Sequence, residues 1–389
     1  MFDKIFSSKK NKISSFSSGK NSEETLTRME CNALRGLAII GIFLHNYCHW
    51  LRPVVKENEY QYFQRNVDGL YQVLQGSWNE FFFFHILSFF GHYGVPVFLF
   101  LSAYGLTMKY EKRAIVTPTN NQYTERKLPL FGFIKYHWLK LFRMMIVGFV
   151  AFTMVDAITI GQHHYKVMDI IGQMGLFNNL LPHPDDIIWP GPYWFFGLMI
   201  QLYIVYRLLL YHRHWAWNMT LIVLCFAIQI ACDPESDALN RWRYNFVGGM
   251  LPFGAGLLYA RHVRPWSTAT NLVAFILSVF AIVLMSFSYL TWYFVPLAVC
   301  IASITFVKLL SRLEAIIDCK NLSLMNILSW VGSISAALFV CHPITRKIFI
   351  PISKEGDYWT GLLLYIIASF CLAWLFKELM KKIPSPKLK

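Results

Sequence analysis

The chain reads as an all-α polytopic integral membrane protein, with about ten transmembrane helices and both termini cytoplasmic. Three observations predict this. Hydrophobic residues make up 56% of the 389 residues and charged ones only 15%, with mean hydropathy +0.40; a soluble domain needs more polar surface. Apolar runs of membrane length recur along the whole chain rather than once, as a single anchor would. The basic residues also collect on one side of the topology that those runs define.

The spans are expected over 33–52, 89–108, 138–159, 193–211, 217–232, 246–260, 269–287, 289–310, 327–349 and 358–380. With the amino terminus inside and sides alternating, 27 of the 36 Lys and Arg fall inside, the asymmetry of the positive-inside rule. That rule accounts for the formal charge of +14, and no RNA- or DNA-binding motif accompanies it, so no nucleic-acid partner is expected. The span over 246–260 carries Gly248, Gly249, Pro252, Gly254 and Gly256. Breakers are tolerated where neighbours re-satisfy the backbone, so this span is expected inside the bundle or broken beside a cavity.

Residues 1–30 hold Lys9, Lys10, Lys12 and Lys20 and no apolar signal-peptide core; they read as a disordered cytoplasmic tail. Residues 31–382 read as the transmembrane domain and 383–389 as a second cytoplasmic tail. Two long loops, 53–88 and 161–192, fall outside, and their semi-apolar stretches Trp78 to Ser88 and Val167 to Leu181 read as interfacial helices or caps over a cavity. The eight cysteines contain no C-x-x-C pair and sit mostly in apolar runs, as small buried residues do.

Ionisable groups inside spans are costly and mark function. The first span holds Arg35 near its inner end and, ten residues later and about 15 Å up the axis, His45, with His49 one turn beyond. An imidazole suits general-base work on a hydroxyl; a core histidine bonded to a neighbouring helix is the plainer alternative. His45, Cys48 and His49 could also be read as metal ligands, but no further ligand at metal spacing appears in the sequence, so no metal is expected. Ser102 can bond a backbone carbonyl or a ligand. Lys140 and Arg143 share a helix face at the inner membrane edge, where they either hold phosphates of a nucleotide-bearing donor or snorkel to headgroups. His342, before Pro343, lines a cavity or packs. Trp194, Tyr203 and their aromatic neighbours form an interfacial belt or a sugar-stacking surface. Asp185 and Asp186 lie in an outer loop, where they bind hydroxyls or do nothing specific.

In order, these stretches resemble the acyltransferase-3 family of membrane O-acyltransferases. Leu34 to Ala38 with His45, Gly91-His92-Tyr93-Gly94-Val95, Phe98 to Tyr104, Lys140 with Arg143, Trp194 with Gln201-Leu202-Tyr203, and Gly332 to Pro343 are similar to the family's runs, over roughly 28–380. Three departures stand out. Nine residues separate Arg35 from His45 where the family has ten, which turns His45 about 80° from the Arg35 face and leaves His49 about 40° off. The family's acid before Gln-x-Tyr falls on Met199 or Ile200. Ser102-Ala103-Tyr104 replaces Ser-Gly-Phe.

The resemblance implies transfer of an acyl group, in most cases acetyl, from acyl-CoA (acetyl-CoA) as co-substrate to a hydroxyl of an extracytoplasmic carbohydrate such as a surface polysaccharide, by a multi-pass protein of the bacterial inner membrane with no bound cofactor. His45 would be the catalytic base; Arg35, Lys140 and Arg143 would bind the donor; His49, Ser102, Tyr203 and His342 would line the cavity. A carrier or flippase for a glycan intermediate or organic acid would use the same charged cavity without chemistry, and a non-catalytic envelope partner would need none. The sequence leaves acceptor identity and oligomeric state open.

Overall fold

A computed structural model describes residues 25–76, 79–112, 129–317 and 323–387. The described residues are mostly helical, with no strand among them. In chain order the helices are α1 (Arg28–Cys48), α2 (Gln64–Gln75), α3 (Phe82–Phe90), α4 (Gly94–Thr107), α5 (Leu130–Ile158), α6 (Val167–Gly175), α7 (Pro184–Ile187), α8 (Trp194–Val205), α9 (Trp215–Ile230), α10 (Asp237–Tyr244), α11 (Phe246–His262), α12 (Thr268–Ser286), α13 (Tyr289–Trp292), α14 (Val295–Ile317), α15 (Leu324–Lys354) and α16 (Tyr358–Lys382). The protein is an all-α polytopic membrane protein.

Each of the ten expected spans falls on a helix. Seven helical segments are long and apolar enough to cross a membrane, among them Phe82–Lys112, which runs through α3 and α4. The other three expected spans are α1, α9 and α11. The last two have 16 and 17 residues, and α1 carries Arg28, Glu30 and Arg35. Two boundaries move. The tail expected over 1–30 lies outside the described residues as far as 24, but α1 already starts at Arg28: the Thr27 hydroxyl accepts from the Glu30 amide while the Glu30 carboxylate accepts from the Thr27 amide, a capping box that fixes a helix start. The span expected over 289–310 breaks after the single turn α13, and α14 continues to Ile317.

Close helix crossings decide the architecture. A Cβ on Gly36 would run into the Leu328 carbonyl, and one on Gly332 into the Asn32 carbonyl, so α1 and α15 touch backbone to backbone as small residues permit. Gly94 meets the Ala38 carbonyl and Gly91 the Cβ of His45, which seats the start of α4 on α1. The expectation for residues 246–260 holds in its buried form: α11 runs through Pro252 unbroken, with Gly249, Gly254 and Gly256 turned to Leu198, Asn218 and Phe100. By contrast, α12 exposes Leu272, Val273, Ile276, Leu277, Phe280 and Leu284, the surface of a helix facing lipid. Several charges inside the bundle are paired: Arg261 binds Glu111 through two 2.8 Å bonds, Lys308 holds Glu30 at 2.8 Å, and Lys347 holds Asp156.

Candidate active site

One cavity of about 140 Å³ opens at the His45 end of α1, lined by α1, the 57–60 segment, the start of α4, the 189–195 segment and α15. His45 is 3% exposed. Its Nδ1 lies 2.8 Å from the Ser88 carbonyl oxygen; a carbonyl only accepts, so Nδ1 carries the proton and Nε2 keeps its lone pair. That Nε2 faces Oε1 of Glu57 at 3.8 Å. The same carboxylate oxygen accepts from His49 Nδ1 at 3.0 Å. His49 caps α1 and its ring sits 4.9 Å from that of His45, with His92 5.5 Å from His45 on another side. Four residues apart, the two α1 histidines share one helix face and meet one carboxylate, although only His45 lies within the helix.

Glu57 is the residue the sequence did not offer. It belongs to an irregular segment, and neighbours fix it. Asn66 Nδ2 donates to the Glu57 carbonyl at 2.8 Å, Trp292 Nε1 to the Asn58 carbonyl at 2.9 Å, and Arg243 Nε to the Glu59 carbonyl at 2.8 Å. Burial alone would raise the Glu57 carboxyl, but the His49 and His45 imidazoles more than offset it and hold the group below the ordinary carboxylate range. Glu59 behaves oppositely. It is half-buried and faces the cavity, and burial, reinforced by the Glu57 charge, pushes it up to about 8.

Several polar atoms around this cavity are buried with no partner among the described residues: His49 Nε2, Glu57 Oε2, Trp189 Nε1 and both ring nitrogens of His92. Each such orphan costs on the order of 1–3 kcal/mol, and a set of them around one cavity is the lining a polar ligand satisfies. Arg346 of α15 completes it, donating from Nη1 to the Asn46 carbonyl and side-chain oxygens at 3.3 Å and lying 4.9 Å from the Trp50 ring centroid. Arg346 did carry a sequence signal, as an ionisable group in an apolar span. His342, one turn earlier, does not line this cavity. It is fully buried, with Nδ1 on the Leu338 carbonyl at 3.1 Å.

The other expected site residues gather at the opposite end of α1. Arg35 donates to Asn32 Oδ1 at 2.9 Å and lies in electrostatic reach of Lys140 and Tyr203. Tyr203 bonds Ser102 and packs its ring 4.3 Å from His137, whose Nε2 is 3.2 Å from Tyr110 Oη. Lys109 joins them through Tyr136 at 3.3 Å. Arg143 does not join. Its Nε and Nη2 donate to the Met380 carbonyl at 2.9 and 2.6 Å, and Nη1 to Ser385, so it closes the end of α16. Ser102 and Tyr203 thus belong with the cationic end rather than with the His45 cavity.

Two ligand classes fit these groups. Arg35, Lys140 and Lys109 suit an anionic donor. His45, His49 and Glu57 offer one ligand atom each within 4.8 Å of one another, a donor set that could hold a divalent ion; the sequence reading found no metal set because the carboxylate comes from a different segment. The family model described as an acyltransferase domain, acyltransferase-3, matches residues 30–378. No curated protein and no solved structure matches the chain. The match spans both ends of α1 and every helix that frames the cavity, and the chain belongs to the acyltransferase-3 family: it is a membrane acyltransferase.

Proposed function

We propose that the protein moves an acetyl group from acetyl-CoA in the cytoplasm to a hydroxyl of a carbohydrate on the outer side of the bacterial inner membrane. The observation that carries this reading is His45: a buried imidazole whose proton is fixed on Nδ1 by Ser88, leaving Nε2 free at a cavity of unsatisfied polar atoms. The acceptor hydroxyl gives its proton to Nε2 while its oxygen attacks the thioester carbonyl carbon. The carbon–sulfur bond then breaks, and the CoA thiolate takes the proton back from Nε2, releasing CoA and an ester. Glu57, 3.8 Å from Nε2, stabilises the imidazolium formed between these steps, as a carboxylate does beside a catalytic histidine. Arg346 supplies positive charge for the carbonyl oxyanion. The CoA phosphates rest on Arg35 and Lys140, and the donor arm bridges the roughly 15 Å between the two ends along α1.

This reading is tested by purified protein in detergent supplied with radiolabelled acetyl-CoA and a crude glycan fraction. Label in the glycan, undiminished by a chelator, is expected. Movement of glycan or organic acid across liposomes without label transfer would replace the enzyme reading with the carrier one.

A further inference from the structure

A second cavity lies against the first. It encloses about 830 Å³ and is lined by the 180–186 segment, α10 and the start of α11. The wall between the two is shared: Asp185 lines the larger cavity and hydrogen-bonds Tyr244, and Tyr244 lines the smaller one, stacked on Tyr60 at 4.0 Å. The floor of the larger cavity is rigid. Asn240 spends both amide hydrogens on Asp185 and Gln61, at 2.8 and 3.2 Å. Asn245 accepts from Gln201 at 2.7 Å and donates to the Asn179 and Arg241 carbonyls.

What the floor leaves over is on the walls. The carboxylates of Asp186 and Asp237 are exposed and make no side-chain hydrogen bond or ion pair among the described residues. The Trp242 indole is 41% exposed at the rim. Arg241 is partly spent on the Leu180 carbonyl. A volume of this size is that of a ligand cleft. Carboxylates beside an aromatic face suit a polyhydroxylated ring, hydroxyls donating to the acids and the ring's apolar face lying on the indole. Three carboxylates against one guanidinium disfavour an anionic ligand. Beyond the wall, in the His45 cavity, His92, 5% exposed, and Trp189 carry buried polar atoms without a partner among the described residues.

We infer that the larger cavity is a second acceptor subsite, which holds the neighbouring sugar units of a neutral or amino-sugar oligosaccharide while one unit reaches His45. The inference rests on the proposed carbohydrate acceptor and adds its length and charge. Wild-type protein in detergent is titrated calorimetrically, without acetyl-CoA, with monomers and tetramers of glucose, N-acetylglucosamine, glucosamine and galacturonate. At least one neutral or amino tetramer should bind tenfold or more tighter than its monomer, and galacturonate tetramer most weakly. Trp242→Ala and the pair Asp186→Asn, Asp237→Asn should each return that tetramer to near-monomer affinity, leaving monomer binding unchanged. Affinities independent of chain length, tightest binding of galacturonate, or unaffected variants would overturn the subsite. Tetramer binding without acetyl transfer to any glycan would overturn the proposed function and leave the subsite standing.

Discussion

The two ends of α1 solve opposite problems. At the His45 end, polar groups are buried, held by named bonds and left with unsatisfied atoms pointing into one cavity. At the Arg35 end, Lys140 is exposed, Arg35 is only partly buried, and Tyr203 and Ser102 satisfy each other. Preorganised, desolvated groups are what bond-making requires. Exposed cations on long stems suit capture of an anionic group that arrives from water. On the proposed function, the length of α1 separates donor capture from chemistry.

The His45 end is lost most completely if the frame that seats it is disturbed. Gly94→Val drives a side chain into the Ala38 carbonyl and Ile42, an overpacking that costs about 1–3 kcal/mol or more where backbone must move. Loss of monodisperse protein in detergent is expected, whereas Gly105→Ala, with nothing within 4 Å, should behave as wild type. Wild-type yield and size-exclusion profile for Gly94→Val would show the crossing to be loose.

Next in size is Glu57→Gln, which keeps the shape and removes the charge facing both histidines. Transfer should slow about 10²-fold, with the apparent KM for acetyl-CoA unchanged. A change confined to that KM would move Glu57 to donor binding.

At the other end, Arg35→Ala with Lys140→Ala should raise the acetyl-CoA KM on the order of tenfold, a charged contact being worth about 1.5–3 kcal/mol and less where water screens it. Arg143→Ala should leave that KM alone and lower thermal stability, because Arg143 is spent on Met380 and Ser385. Equal KM effects from Arg143 and Lys140 would merge the two roles.

The smallest effect concerns Glu59. Its carboxyl is raised to about 8 by burial and the Glu57 charge, so between the unfolded value near 4.5 and 8 the folded state binds more protons than the unfolded one. Stability therefore falls as pH rises through that window and levels off above it. Melting temperatures of wild type should drop between pH 6 and 8.5, and Glu59→Gln should flatten that slope. Parallel slopes would mean Glu59 is ionised throughout.

Much of this was legible in the chain. Apolar runs located the helices, and Arg35, His45 and Lys140 stood out as charges in or beside spans. The Gly91-to-Val95 run gains its physical reason from the crossing: both glycines lie against α1. What stayed hidden came from segments without periodicity. Glu57 sits in an irregular stretch whose path is set by bonds to Trp292, Arg243 and Asn66, residues 9 to 234 positions distant in sequence from their partners. Helix α10 is too polar to register beside apolar spans, and is fixed by the Ser236 cap. Arg143 has the right spacing from Lys140, but the end of α16 claims it, and no local pattern announces that.

The proposed mechanism has His45 Nε2 take the acceptor proton. Its most direct test is acetyl transfer by His45→Ala protein, with and without added imidazole, beside His49→Ala. His45→Ala should assemble normally and lose about 10²–10⁴-fold in rate, imidazole should restore part of the loss, and His49→Ala should retain most activity. A His45→Ala protein that transfers acetyl at the wild-type rate would rule His45 out as the base.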